Sequence, residues 1–249
     1  GNVFAGERPQ NPKMIPAYIH EYTSFQLVVL PSPDTNDHEV RFIVDGVDLI
    51  DSFCEGSIGL DPDDVLLPGA LTASSAPHVA VIAPCDCGVI GCGDIEAEIK
   101  LVGEVVTWAL GPEQSGTGPI LRFAAASYIR ELERATADTS WETPERTAAR
   151  LLRASVNQEI LAAHALRFLW ASGRVRDYTF TVSLELSPGP YQVLLHIPWR
   201  GQSPGAIASE MAAVIETPPE SWLDVQFFPQ RLGLTEPPAI AGPGWRGAT

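Results

Sequence analysis

The sequence predicts an α+β protein: a mainly antiparallel sheet followed by packed helices, then a smaller β-β-α-β unit. Three observations lead there. Alternation with a period of two is clearest at Ile95-Glu-Ala-Glu-Ile-Lys-Leu101, which puts Ile95, Ala97, Ile99 and Leu101 on one face and Glu96, Glu98 and Lys100 on the other. Helical spacing replaces it from Ala125, where Tyr128, Ile129, Leu132 and Ala135 recur on one side. The connections between neighbouring strand candidates are also too short for the crossovers that parallel pairing requires.

Taken in order, residues 1 to 23 carry Pro9, Pro12 and Pro16 with little periodicity and read as an extended arm. Phe25 to Leu30 and Val40 to Val44 read as strands, the second closed by Asp45-Gly46. From Asp48 to Pro77 the pattern gives way to Pro, Gly, Ser and Asp, which reads as a long surface loop. Four strands are expected at Val79 to Ala83, Ile95 to Val102, Val105 to Leu110 and Ile120 to Phe123. Thr143-Pro144-Glu145 starts a helix, because threonine caps orphan amides, proline suits the first turn and glutamate complements the dipole. A further helix is expected from Val156 to Ser172. Strands at Tyr178 to Leu186 and Tyr191 to Ile197, a helix from Ser203-Pro204 and a strand at Leu223 to Phe228 complete the chain. Residues 1–155 form one expected domain and 156–249 a second, an arrangement that is also compatible with a single packed domain.

The 249 residues are 45% hydrophobic and 19% charged, which are globular values. Sixteen basic against 31 acidic residues give a net charge of −15, which repels nucleic-acid phosphates and anionic membranes and makes a basic protein the natural partner. Lys13 and Lys100 are the only lysines, a bias that with the abundant Ala, Gly and Pro suggests a GC-rich bacterial genome. No run approaches the roughly 18 to 20 apolar residues needed to cross a bilayer. Four cysteines are too few for a disulfide scaffold, so a reducing cytoplasm is the expected location.

Three of those cysteines, Cys85, Cys87 and Cys92, fall within eight residues of Cys85-Asp-Cys-Gly-Val-Ile-Gly-Cys-Gly93. If the preceding strand continues through Cys87, Cys85 and Cys87 project from one face and Gly88 to Gly91 fold back to bring Cys92 opposite Cys87. Zinc would then need a fourth ligand, for which Cys54 and His78 are the candidates, although ligand pairs normally leave two to four residues between them rather than one. A disulfide, or small reduced cysteines buried in a tight hairpin, fit the same residues. A catalytic thiol needs a nearby base or positive charge, whereas Asp86 and Asp94 push the other way.

Other motifs fall short. Asp61-Pro-Asp-Asp64 lacks the glycine and terminal glutamate of a calcium loop, and Gly116-Thr-Gly118 lacks the lysine of a phosphate loop. The histidines at 20, 38, 78, 164 and 196 show no close metal spacing and read as polar or packed residues. Trp108 and Trp170 read as core, and Trp199, Trp222 and Trp245 as packing beneath loops.

The Cys85 to Gly93 string, the strand Ile95 to Leu101, Val106-Thr-Trp108, Leu121-Arg-Phe123, Tyr128 and Ser140-Trp-Glu-Thr143 together resemble a family of uncharacterised actinobacterial proteins, which are acidic and carry a similar Cys-x-Cys-Gly-x-x-Gly-Cys-Gly motif. The resemblance covers roughly residues 25 to 155 and implies no activity. The sequence therefore reads as an acidic, non-catalytic protein-binding module of the immunity or inhibitor type, with no catalytic residue assigned. The alternative is a metal- or thiol-dependent enzyme centred on Cys85, Cys87 and Cys92, with zinc as the metal.

Overall fold

The computed structural model describes residues 19–32, 37–53, 57–67, 69–84, 94–111, 118–187 and 190–247. All four cysteines lie outside them. The chain divides into two compact units, Gly1–Trp141 and Glu142–Thr249, and the fold is α+β as expected.

In the first unit β1 (Ile19–Tyr22), β2 (Phe25–Ser32), β3 (Asp37–Val44) and β4 (Val47–Asp48) precede two short helices, α1 (Leu49–Phe53) and α2 (Pro62–Val65). Strands β5 (His78–Ala83), β6 (Ile95–Val102), β7 (Val105–Gly111) and β8 (Ile120–Ala124) then run into helix α3 (Ala125–Ala137). The strands make two sheets, β2-β3-β4 and β1-β8-β7-β6-β5. Pairing is antiparallel throughout, apart from β1, which lies parallel to β8 within the segment expected to be an arm. Asp45 and Gly46 both take positive φ, 47° and 81°, as a two-residue hairpin of the primed type requires. Gly103, with φ of 61°, turns β6 into β7.

The stretch expected as an unbroken loop, 48 to 77, holds α1 and α2 because single aspartates cap them. Asp48 accepts from the amide of Ile50 at 2.8 Å, and Asp61 from that of Asp63 at 2.9 Å with Pro62 in the first turn.

Both sheets and α3 contribute to one core rich in aromatic rings. Trp108 lies edge-on to Phe25 at 5.5 Å and to Phe42 at 5.4 Å. Its indole N–H donates to the Tyr128 hydroxyl at 3.2 Å, which donates in turn to the Leu71 carbonyl at 2.7 Å. Burying each such ring contributes on the order of 2 to 3 kcal/mol, and each edge-on pair about 1 kcal/mol more.

The second unit contains α4 (Pro144–Ser155), α5 (Gln158–Ala163), β9 (Leu166–Ser172), β10 (Thr179–Leu186), β11 (Tyr191–Pro198), α6 (Pro204–Ile215), β12 (Val225–Pro229) and β13 (Trp245–Gly247). Its sheet runs β13-β12-β11-β10-β9, antiparallel except for β12 with β13. Ala148, Ala149 and Leu152 of α4 and Ile207, Ala208, Met211 and Ile215 of α6 bury against Phe180, Val182, Leu184, Val193 and Leu195 of the sheet. Helix α4 therefore belongs to this unit, and of the helical span expected at 125 to 172 only α3 serves the first unit's core.

The single helix expected from Val156 to Ser172 is instead α5 followed by β9. Asn157 caps α5, and Ala165 takes a φ of 58°, which ends the helical path. Leu166 to Ser172 then pairs antiparallel with β10. Trp170 is accordingly a half-buried strand residue rather than a helical core residue, whereas Trp108 is fully buried as expected. Trp222 and Trp245 are buried and stack at 5.9 Å, donating their indole N–H groups to the carbonyls of Val214 and Pro219.

Candidate functional site

The cysteine segment is approached through its described flanks. Strand β5 ends at Ala83 and β6 begins at Ile95, and these two residues are cross-strand partners, so the segment leaves and rejoins the sheet at one end. The amide of Ile58 donates to the Pro84 carbonyl at 3.3 Å. Cys85 follows Pro84 directly and Cys54 precedes Ile58 by four residues, a tether of about 15 Å at full stretch. His78 starts β5 at its opposite end, about 16 Å from Ala83 by strand rise. Its Nε2 lies 3.1 Å from the Ala70 carbonyl. The flanks thus bring Ile58 against Pro84 and hold His78 at the other end of the strand. Among the described residues no group of three His, Cys, Asp or Glu side chains is arranged to hold a metal ion.

Charge is divided unequally. The first unit has 21 acidic residues against seven basic ones, and the second has ten against nine. Ten of the acidic residues fall between Asp34 and Asp64, where Arg41 is the only basic residue. That arginine is already engaged by Glu39 at 2.8 Å, Asp51 at 3.0 Å and Asp48 at 3.5 Å. Arg122 pairs with Glu21 at 3.1 Å, and Arg134 with Glu131 at 2.6 Å. Arg41, Arg122 and Arg134 thus each neutralise acidic neighbours within the unit.

The second unit holds a polar network that no sequence spacing announced. Thr181 and His196 are cross-strand partners on the sheet face opposite the helices, and Thr181 Oγ1 lies 2.8 Å from Nδ1 of His196. Nε2 of His196 is 3.3 Å from Oε1 of Gln226, and Gln192 donates to the Ser183 hydroxyl at 2.9 Å. This geometry suits a neutral imidazole that accepts from the threonine and donates to the glutamine. Burial lowers the His196 pKa below its ordinary 6.5, and Arg176 reinforces this, while Asp224 and Gln226 oppose it. A hydroxyl beside an imidazole is the arrangement of an activated nucleophile. Here Thr181 is 0% exposed and His196 3%, so the network satisfies buried polar atoms and presents no hydroxyl to a substrate. No protein-family model matches the chain, and no curated protein or solved structure matches it.

Proposed function

We propose that the protein is a non-catalytic binding module of the immunity or inhibitor type whose first unit docks a basic protein. The observation that carries this reading is the partition of charge, with 21 acidic against seven basic residues in the first unit. Such a surface steers a cationic partner and repels nucleic acid and anionic lipid. No described helix is long and apolar enough to cross a membrane, and a cytoplasmic location is part of the proposal. The test is the salt dependence and hydrogen-exchange footprint of the full chain with the protein it retains. Association that slows as ionic strength rises, with protection concentrated in residues 19 to 141, supports the reading. Salt-insensitive association, or a footprint confined to the second unit, overturns it.

The alternative, a metal or thiol centre at Cys85, Cys87 and Cys92 with Cys54 as fourth ligand, is supported by the Ile58 to Pro84 hydrogen bond. Thiolate ligands would hold zinc at about 2.3 Å. Metal analysis of protein purified without added zinc, with titration of its four cysteines, tests it. Zinc bound in proportion to the chain and thiols protected until chelation support it, and metal-free protein with freely reactive thiols overturns it.

A further inference from the structure

The first unit closes its sheet edges unevenly. The outer edge of β2 is occupied by side chains of α3: Glu131 accepts from the Leu27 amide at 2.7 Å, and Arg134 donates to the Leu27 carbonyl at 2.7 Å. Strand β4 is two residues long and β1 four, short edges of the kind that offer little to pair with. Strand β5 is six residues long, ends its sheet, and has no described strand on its outer side. Instead of charge or proline it presents Val79, 57% exposed, and Val81, 37% exposed. Its protection is a bulge between Val81 and Ala83 and the Ile58 hydrogen bond to Pro84 beyond its end.

The backbone of β5 is poised to pair. Leu101 donates its amide to Ser74, on the β5 side of β6, at 2.8 Å. Amides alternate in direction along a strand, so those of Ile99 and Ala97 also face β5, and His78 and Ala80 are the residues bonded to them. The N–H and C=O of Val79 therefore point away from the sheet. Beside Val79 and Val81, on the same face, stand their cross-strand partners Glu98 and Glu96.

We infer that β5 is a strand-addition site for an extended segment of a partner protein in which apolar and basic residues alternate. This rests on the proposed binding function and names the part of the first unit that performs it. An added strand gains main-chain hydrogen bonds from Val79, and its basic residues, on the face of the valines, lay their methylene stems over Val79 and Val81 while its apolar residues occupy the other face. Its basic side chains would lie two strand spacings from Glu96 and Glu98, about 9.6 Å, which lysine and arginine span when glutamate reaches back. A second copy of the chain is the poorer occupant, because pairing two β5 edges brings together two surfaces of like charge.

The experiment uses the full chain with a short capped peptide alternating lysine and valine, and a glutamate-valine peptide as the control. The lysine peptide should slow hydrogen exchange at the Val79 amide and the control should not. Glu96→Lys with Glu98→Lys should weaken lysine-peptide binding about tenfold. Val79→Pro, tolerated where an edge amide faces solvent, should abolish it, as should Val79→Lys, which leaves the backbone amide in place. Equal binding of both peptides, protection elsewhere, or self-association of the free chain that Val79→Pro removes would each overturn the inference. Absence of β5 protection while the natural partner still associates more slowly at high salt rejects this site and leaves the proposed function standing. Protection of β5 with salt-insensitive partner association does the reverse.

Discussion

The first unit carries three times as many acidic as basic residues, while the second is close to balanced at ten against nine. Their interiors differ as well. One core is a knot of rings, Phe25, Phe42, Trp108, Phe123 and Tyr128, between two sheets, helix α3 and the short helices α1 and α2. The other spreads its rings into separate pairs, Phe180 with Trp199, Tyr191 with Phe227 and Trp222 with Trp245, and has helices on one face of one sheet and hydrogen-bonded Thr181, Ser183 and His196 on the other. The net charge of −15 is thus a property of one unit and not of the chain as a whole. Self-repulsion is concentrated in the first unit, whereas Thr181, Ser183 and His196 of the near-neutral second unit are buried and hydrogen-bonded to neighbouring side chains.

The comparison is tested most severely by removing the largest ring. Trp108→Ala should cost about 3 to 5 kcal/mol, and in denaturant titrations followed by residue-specific hydrogen exchange the loss should appear in the first unit while the protection of Val193 and Leu195 stays unchanged. Equal loss in both units would show that the two cores unfold as one.

A smaller effect is expected at the guarded β2 edge. Glu131→Gln should cost about 1 to 3 kcal/mol, since it weakens the Leu27 amide bond and the Arg134 ion pair together, and exchange at the Leu27 amide should quicken. Burial works against the charge of Glu131, but Arg134 and the Leu27 amide outweigh it and hold its pKa below the ordinary 4.5. The contribution is full at neutral pH and fades as pH falls from about 4.5 through the lowered value.

The smallest effect concerns the second unit alone. The folded pKa of His196 is depressed below 6.5, so the unfolded chain binds the proton more readily. Stability should hold above pH 6.5, decline as pH drops from there to the folded value, and level off below it. His196→Gln should flatten that segment of the stability profile, measured by thermal unfolding across pH 5 to 8. A slope that persists unchanged in the variant would assign it to another group.

Much of the fold was legible where local pattern and tertiary contact agree. Ile95 to Val102 is a strand with the bounds its alternation implied, and Pro144 begins α4 behind the cap at Thr143. Misreadings gather where pairing is decided from afar. Leu166-Arg-Phe-Leu-Trp-Ala-Ser172 contains no β-branched residue and follows a helix with no glycine between, so only its ladder with β10 makes it a strand. Strands β1 and β13 are four and three residues long, flanked by proline or glycine, and exist through parallel pairing that no local signal encodes. The charge partition was countable in the sequence once a boundary near residue 141 is known. The pairing of Thr181 with His196 was implicit in the hairpin centred on Ser187 to Pro190, because Leu186 opposite Tyr191 fixes every later pair. Its third member, Gln226, arrives on another strand and carries no such clue.

The stacked indoles of Trp222 and Trp245 have an optical consequence. Two indoles 5.9 Å apart with planes 6° from parallel couple their excited states, and the size and sign of the circular-dichroism couplet that results follow from the in-plane rotation of one ring against the other. Because Trp245 sits on β13 and Trp222 just before β12, that couplet reads the docking of the final strand directly. Its fading on warming, ahead of the loss of backbone signal, would time the release of β13 without any label being attached.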